Sequence, residues 1–286
     1  MIQRLRLAIP NKGRLVEPTV TLLRDAGLVF EPGERALVAR VQNFDLDILF
    51  VRTNDIVEFV ADGVAEMGIT GLDLVAESGA DVPQIRTLGY GCCRLTIAVP
   101  NDSPIRDASD LAGLRVATSH LNLTRAFFAE RGIKVEVIPV SGAAEVAPRL
   151  GLADAIVDLV STGSTMVVNG LRPVEEVFAS EAVLVANKEA LSKRAAVLGS
   201  IETMLSATLA ARDRKYLMMN APLGKAAELE AMLPGLESPS VIPLAHEGMI
   251  AIHSVVEADA VWSLLPKLKA AGASGILVLP IEKLVP

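Results

Sequence analysis

The segment Glu145–Met166, EVAPRLGLADAIVDLVSTGSTM, restricts the possible folds of this chain more than any other stretch. It reads as a helix, a strand and then a loop of small hydroxyl residues. Ala153, Ile156, Val157, Leu159 and Val160 are apolar, and the β-branched pair Ile156-Val157 marks a buried strand. Two acids, Asp154 and Asp158, stand at the start and the middle of that strand. Ser161-Thr162-Gly163-Ser164-Thr165 follows, and Met166-Val167-Val168 can open a helix. Strand, tight turn and helix form the repeating unit of α/β proteins. The same unit can cradle a phosphate, because Ser, Thr and Gly let hydroxyls and backbone N–H groups face an anion. Nearby carboxylates then suit ribose hydroxyls. The loop contains no Lys or Arg and matches neither a Walker sequence nor a GxGxxG fingerprint. An ordinary strand-to-helix turn is therefore the competing reading.

The alternation extends along the chain. Leu5 to Pro10 predicts a strand, Asn11-Lys12-Gly13-Arg14 a turn and Leu15 to Ala26 an amphipathic helix. Strands follow at Leu37–Gln42 and Asp47–Val51, and a helix at Asn54–Gly63. Met67 to Gly71 predicts a short strand that turns into a helix from Leu72. Near Tyr90 the pattern restarts, with strands at Arg94–Val99, Arg115–Thr118 and Val135–Val140, a helix at Asn122–Arg131 and another from near Ala143. Val183 to Ala186 predicts a returning strand and Glu189 to Arg212 one long helix. The fragment DLAGLRVATSHLNLTRAFFAERG resembles the second lobe of bilobal solute-binding folds. We read residues 1–90, completed by about 183–212, as one lobe and 91–182 as a second, with a ligand cleft between them. Residues 213–286 follow the order β-α-β-β-α-β of a ferredoxin-like unit, with His246-Glu247-Gly248 at its middle hairpin.

Composition narrows the function. Half of the 286 residues are hydrophobic but only 3% are aromatic, so the core must be Val, Leu, Ile and Ala, as in helix-covered sheets. The net charge of −7 argues against general nucleic-acid binding. A nucleotide ligand would need a local basic site, for which Lys12, Arg14, Arg35 and Arg52 are candidates. The bland alternative for each is a solvated surface charge. The neighbouring Cys92 and Cys93 point to opposite faces of an extended chain, which disfavours a disulfide and suggests small buried residues in a reducing compartment. The three histidines have no metal-ligand spacing. There is no apolar run long enough to span a membrane and no apolar export segment at the start, which points to the cytoplasm.

The Glu145–Met166 segment closely resembles the signature of the ATP phosphoribosyltransferases, through Glu145, Gly151, Ala153, Ile156, Asp158, Leu159, Thr162, Gly163, Thr165 and Met166. LAIPNKGRL, VRTNDIVEFVADGVAEMGITGLDLV and LESPSVIPL resemble the same family, so the likeness covers nearly the whole chain. The additional C-terminal unit resembles the regulatory domain of the family's long form. The resemblance implies a bilobal, periplasmic-binding-protein-like α/β core. It implies the first step of histidine biosynthesis, in which C1 of phosphoribosyl pyrophosphate is joined to N1 of the ATP adenine and pyrophosphate leaves with the help of Mg²⁺. Ser161, Thr162, Gly163, Ser164 and Thr165 would hold the 5-phosphate, and Asp154 or Asp158 the ribose. Lys12, Arg14, Arg35 and Arg52 would meet the pyrophosphate or triphosphate, and Gly71, Leu72, Asp73 and Glu145 would line the ATP site. No protein ligand of the metal is singled out. The C-terminal unit would bind histidine as feedback inhibitor, with Asn220, Leu236, Ser240 and Gly275 as candidate contacts, in a homo-oligomer of dimers or hexamers. A bilobal solute receptor is the rival, disfavoured by the phosphate loop.

Overall fold

The computed structural model describes residues 4–31, 37–161, 164–233, 235–236 and 238–285, the side chains of 164 and 165 excepted. It divides into two compact units, Met1–Thr21 with Leu28–Leu198, and Leu22–Gly27 with Gly199–Pro286. No helix among the described residues is long and apolar enough to cross a membrane.

The first unit opens with β1 (Leu5–Pro10), α1 (Val16–Asp25, which runs on into the second unit), β2 (Val38–Arg40), β3 (Leu46–Val51), α2 (Ile56–Ala61), β4 (Met67–Gly71), α3 (Leu72–Ser78) and β5 (Gln84–Thr87). β1 runs parallel to both β3 and β4, so three strands end on the same edge of the sheet. The chain then crosses to a second lobe made of β6 (Cys93–Pro100), β7 (Arg115–Thr118), α4 (Leu121–Glu130), β8 (Glu136–Pro139), β9 (Ala155–Val160), α5 (Ser164–Val168) and β10 (Leu171–Ser180). Here β7 runs parallel to β8 and β9, while β6 and β10 are antiparallel. β11 (Ala182–Ala186) returns to the first sheet between β4 and β5 and is followed by α6 (Lys188–Lys193) and α7 (Ala195–Arg212, most of which lies in the second unit). The sheet orders are β2-β3-β1-β4-β11-β5 and β10-β6-β9-β7-β8. Each is mixed, with parallel and antiparallel pairs.

Each lobe has its own core. Ala8, Ile56, Val57, Val60, Val183 and Val185 pack in the first. In the second, Leu95, Ile97, Val116, Phe128 and Val157 fill one face of the sheet, and Ala98, Ala117, Ala144, Ile156 and Met166 the other. Two segments join the lobes. Ala182 donates its N–H to the Tyr90 carbonyl (2.9 Å), and Leu88 donates to the Ala182 carbonyl (2.9 Å), which ties the outgoing and returning chains together.

In the second unit, β12 (Arg214–Pro222), α8 (Ala226–Glu230), β13 (Ser240–Pro243), β14 (Met249–Glu257), α9 (Val261–Ala270) and β15 (Ser274–Pro280) form the antiparallel order β13-β14-β12-β15. That is the ferredoxin-like arrangement. Leu217, Met219, Leu229, Ile250, Ile252 and Leu268 form its core.

Three expectations fail at element level. The helix expected from near Ala143 is only a single turn at Ala144–Val146, because Pro148 has no N–H to continue it and its ring crowds the preceding turn. The long helix expected over Glu189–Arg212 breaks at Arg194 (φ −129°, ψ 24°) into α6 and α7. Cys92 is exposed and only Cys93 is buried; both are free thiols. β5 and β10 are absent from the sequence reading. Pro173 and Arg172 mask β10, which accommodates its irregularity through register shifts at Pro173/Glu175 and Glu176/Phe178.

Candidate functional site

In open sheets, ligands bind beyond the carboxyl ends of parallel strands. In the first lobe those ends are Pro10, Val51 and Gly71, in three parallel neighbours. Lys12 and Arg14 follow the first, Arg52 the second, and Leu72 and Asp73 the third. The Asn11 N–H donates to the Val51 carbonyl (2.8 Å), so the turn carrying Lys12 lies beside Arg52. Lys12, Arg14 and Arg52 are all exposed. Arg14 donates from Nη2 to Cys93 Sγ (2.7 Å), which holds it against the first residue of β6 where the chain enters the second lobe. Arg35 lies outside the described residues.

In the second lobe, β7, β8 and β9 end at Thr118, Pro139 and Val160. His120 follows β7, Glu145 lies in the turn beyond β8, and Ser161 follows β9. Thr162 and Gly163, with the side chains of Ser164 and Thr165, lie outside the described residues. An open cavity of about 1210 Å³ is lined by Leu72, Cys93, Thr96, Val160, Ser161 and Ser180 among others. It exceeds the ~300–1,000 Å³ of a typical small-molecule site.

The two acids of the signature separate. Asp158 shares a face of β9 with Ile156 and Val160, beneath the turn that carries Glu145. Burial pushes its carboxyl up. The Leu159 N–H, donated at 2.8 Å, pulls it back, the Glu145 carboxylate raises it further and His120 lowers it, leaving the net above the ordinary value. Glu145 and Asp158 are thus brought together at the cleft end of the lobe. Asp154 is not. It lies at the opposite end of β9, about 23 Å along the strand from Ser161 at ~3.3 Å per residue. There it accepts from the Arg115 backbone N–H (2.9 Å) and guanidinium (3.3 Å), and both hold its carboxyl below the ordinary value. Asp154 thus joins the starts of β7 and β9 and stands apart from Glu145, Asp158 and Ser161.

Asp73 is also engaged by neighbouring side chains. It is 3% exposed, and both carboxylate oxygens are already engaged. Ser180 Oγ donates to Oδ1 (2.5 Å), and His120 Nε2 lies 3.2 Å from Oδ2. An ionised carboxylate can only accept, so Nε2 carries the proton. Burial would raise the Asp73 carboxyl, but the bonds from His120 and Ser180 outweigh it and hold it low. The Asp73 N–H donates back to Ser180 Oγ (3.0 Å). This carboxylate links α3, the end of β10 and the start of α4. Sequence reasoning missed His120 and Ser180. The signal for His120 was its position just beyond the carboxyl end of a parallel strand.

Among the described residues, no group of three or more His, Cys, Asp or Glu is arranged to hold a metal ion. In the second unit, Gly275 (φ 55°) lies beside Asn220, since a Cβ added there would be 3.5 Å from Asn220 Nδ2. Ser240 pairs with His253 across the sheet, and Leu236 is an exposed loop residue.

Comparison with known proteins adds three findings. A family model described as HisG, ATP phosphoribosyltransferase, matches residues 52–207, and one described as HisG, C-terminal domain, matches 211–283. The chain is 45% identical over 289 residues to the ATP phosphoribosyltransferase of Methanosarcina barkeri and 47% identical over 292 residues to that of Gemmatimonas aurantiaca; in both cases 99% of this chain and all of the relative are covered. A solved ATP phosphoribosyl transferase (HisG:HisZ) complex from Thermotoga maritima superposes with a TM-score of 0.61 at 30% identity, covering 70% of this chain and 95% of that one.

Proposed function

This chain belongs to the ATP phosphoribosyltransferase family, and from that premise we propose how its cleft transfers a phosphoribosyl group. The family's members are pentosyltransferases of histidine biosynthesis, and ATP and phosphoribosyl pyrophosphate are the substrates. The observation that supports the reading most is that Leu72, beyond the strand ends of the first lobe, and Ser161, beyond those of the second, line one open cavity.

The loop Ser161–Thr165 holds the 5-phosphate through hydroxyls and backbone N–H groups. Asp158 accepts from the ribose hydroxyls. Gly71 and Leu72 line the adenine side, and Glu145 closes it. As the C1–O bond breaks, positive charge grows on the ribose and negative charge on the pyrophosphate. Lys12, Arg14 and Arg52, with Arg35, neutralise the leaving group in the transition state. Adenine N1 attacks with its own lone pair, so no general base is required. The remaining task of the cleft is to align the two substrates.

The donor chemistry fits Mg²⁺. Glu145 and Asp158 offer hard oxygen ligands, the Glu145 carboxylate lying close enough to raise that of Asp158, and such ions are held by one or two carboxylates plus substrate oxygens. Bound there, the ion would supply charge neutralisation for the pyrophosphate.

We assign residues 1–90 with about 183–212 to the first lobe, 91–182 to the second and 213–286 to a regulatory domain. Asn220, Gly275, Ser240 and Leu236 are its candidate histidine contacts, and a homo-oligomer of dimers or hexamers in the cytoplasm carries the signal. Pyrophosphate release on mixing ATP, phosphoribosyl pyrophosphate and Mg²⁺ tests the reaction; no release from the folded enzyme rejects it. Replacing Gly163 by Val tests the loop and should weaken phosphoribosyl pyrophosphate much more than ATP.

A further inference from the structure

Helix α4 starts without a cap of its own. The residue before it, His120, makes no side-chain bond to the helix, and its first residues are Leu121, Asn122 and Leu123. The free N–H groups of a helix start need an acceptor. Here a carboxylate from the other lobe supplies it. Glu77 Oε1 accepts from the Asn122 N–H (2.9 Å) and Oε2 from the Leu123 N–H (3.0 Å). Asn122 Nδ2 donates back to the Glu77 carbonyl near the end of α3 (2.8 Å). Four residues earlier on α3, Asp73 takes the His120 imidazole. Residues four apart share a helix face, so one face of α3 presents two carboxylates to the start of α4. The first engages a buried side chain, the second the positive end of the helix dipole.

We propose that Glu77 and His120 are positioning residues for the transfer step. Together they clasp the two lobes at the spacing that brings adenine N1 onto C1 of the phosphoribosyl group. This rests on the reading in which the phosphoribosyl group is held by the second lobe and adenine by the first. His120 follows Thr118, which pairs with Val157 on β9, so the clasp lies beside Asp158 and the proposed ribose site. The charged group hydrogen-bonded to His120 is Asp73. Neither Glu77 nor His120 touches substrate in this scheme. A clasp of this kind acts through alignment, where a misplacement of about 1 Å costs on the order of a hundredfold in rate.

The test uses the full-length enzyme with Glu77→Ala, His120→Phe and His120→Gln, the last keeping an N–H donor for Asp73. Turnover, the dissociation constant for phosphoribosyl pyrophosphate and hydrogen exchange at the Asn122 and Leu123 amides are measured. We expect Glu77→Ala and His120→Phe to lower kcat about ten- to a hundredfold. Binding of phosphoribosyl pyrophosphate falls less than turnover, because its 5-phosphate loop and ribose carboxylate lie on one lobe and the cations of the other act on the leaving group in the transition state. Glu77→Ala speeds exchange at the two amides, and His120→Gln recovers most of the turnover. Unchanged kcat in Glu77→Ala overturns the proposal, as does a rate loss that merely tracks the fraction of folded protein. Fast exchange with weakened binding of both substrates also overturns it, since the lobe assignment beneath it would then be wrong. A wild-type enzyme that binds both substrates yet releases no pyrophosphate would reject the reaction itself.

Discussion

Removing the Ser180 hydroxyl in Ser180→Ala isolates the polar link between the lobes. The residue is 5% exposed, so solvent cannot take over its role. Its Oγ donates to Asp73 Oδ1 at 2.5 Å and accepts from the Asp73 N–H at 3.0 Å. A hydrogen bond to a charged group contributes ~1.5–3 kcal/mol, and a buried donor left without a partner costs about 1–3 kcal/mol. His120 still holds the other carboxylate oxygen, so the combined loss is about 3 kcal/mol. For a unit of this size, that lowers the midpoint of thermal unfolding by roughly 6–12 °C. The sign with pH follows from Asp73, whose carboxyl is held low when folded. Its contribution is present above the ordinary carboxylate range and is lost as pH falls through the folded value. Wild type and variant should therefore differ most near neutrality and converge in acid. Scanning calorimetry of both proteins at neutral and acidic pH measures this, with the two units' transitions fitted separately. A neutral-pH difference below about 0.5 kcal/mol, or one that does not change with pH, would refute the argument that Asp73 is an ionised, Ser180-bonded link.

Asp158→Asn should raise the KM for phosphoribosyl pyrophosphate ten- to a hundredfold, on the order of 1.4–2.8 kcal/mol, without destabilising the fold at neutral pH. The Asp158 carboxyl is raised by burial, so its contribution to stability is greatest below the ordinary carboxylate range and is lost as pH rises; calorimetry on the variant should show a flatter pH dependence. Arg14→Gln should lower kcat by about 10²–10³ in a pyrophosphate-release assay, as loss of a donor to the leaving group does elsewhere. Gly91→Ala should destabilise by about 1–3 kcal/mol in denaturant unfolding, because residue 91 has φ 66° and a Cβ there would stand 2.2 Å from Leu15 Cδ2. Asn220→Ala should raise the histidine concentration for half-inhibition about five- to tenfold, the worth of one hydrogen bond.

The strands Leu5–Pro10, Met67–Gly71 and Arg115–Thr118 follow residue for residue from apolar, β-branched runs bounded by turns. Such runs are buried on both faces, so their limits are written locally. β10 was not legible, since Pro173, Glu175 and Glu176 break any alternation and only pairing with β6 makes the segment a strand. The break at Arg194 was equally hidden, because Lys188–Arg212 contains no Pro at which a helix must stop.

The sequence by itself determined the alternating α/β pattern and the ferredoxin-like order of the C-terminal unit, because each is set by neighbours within a few residues. Only the tertiary structure decided what surrounds each acid of the signature. Asp154 and Asp158 are four residues apart and alike in chemistry, but the parallel pairing of β7 with β9 gives the first to Arg115 and leaves the second beside Glu145. It likewise decided that Asp73, His120, Ser180 and Glu77 form one junction. These residues are separated by up to 107 positions, and only the crossing of the chain between two sheets brings their charges within hydrogen-bond reach.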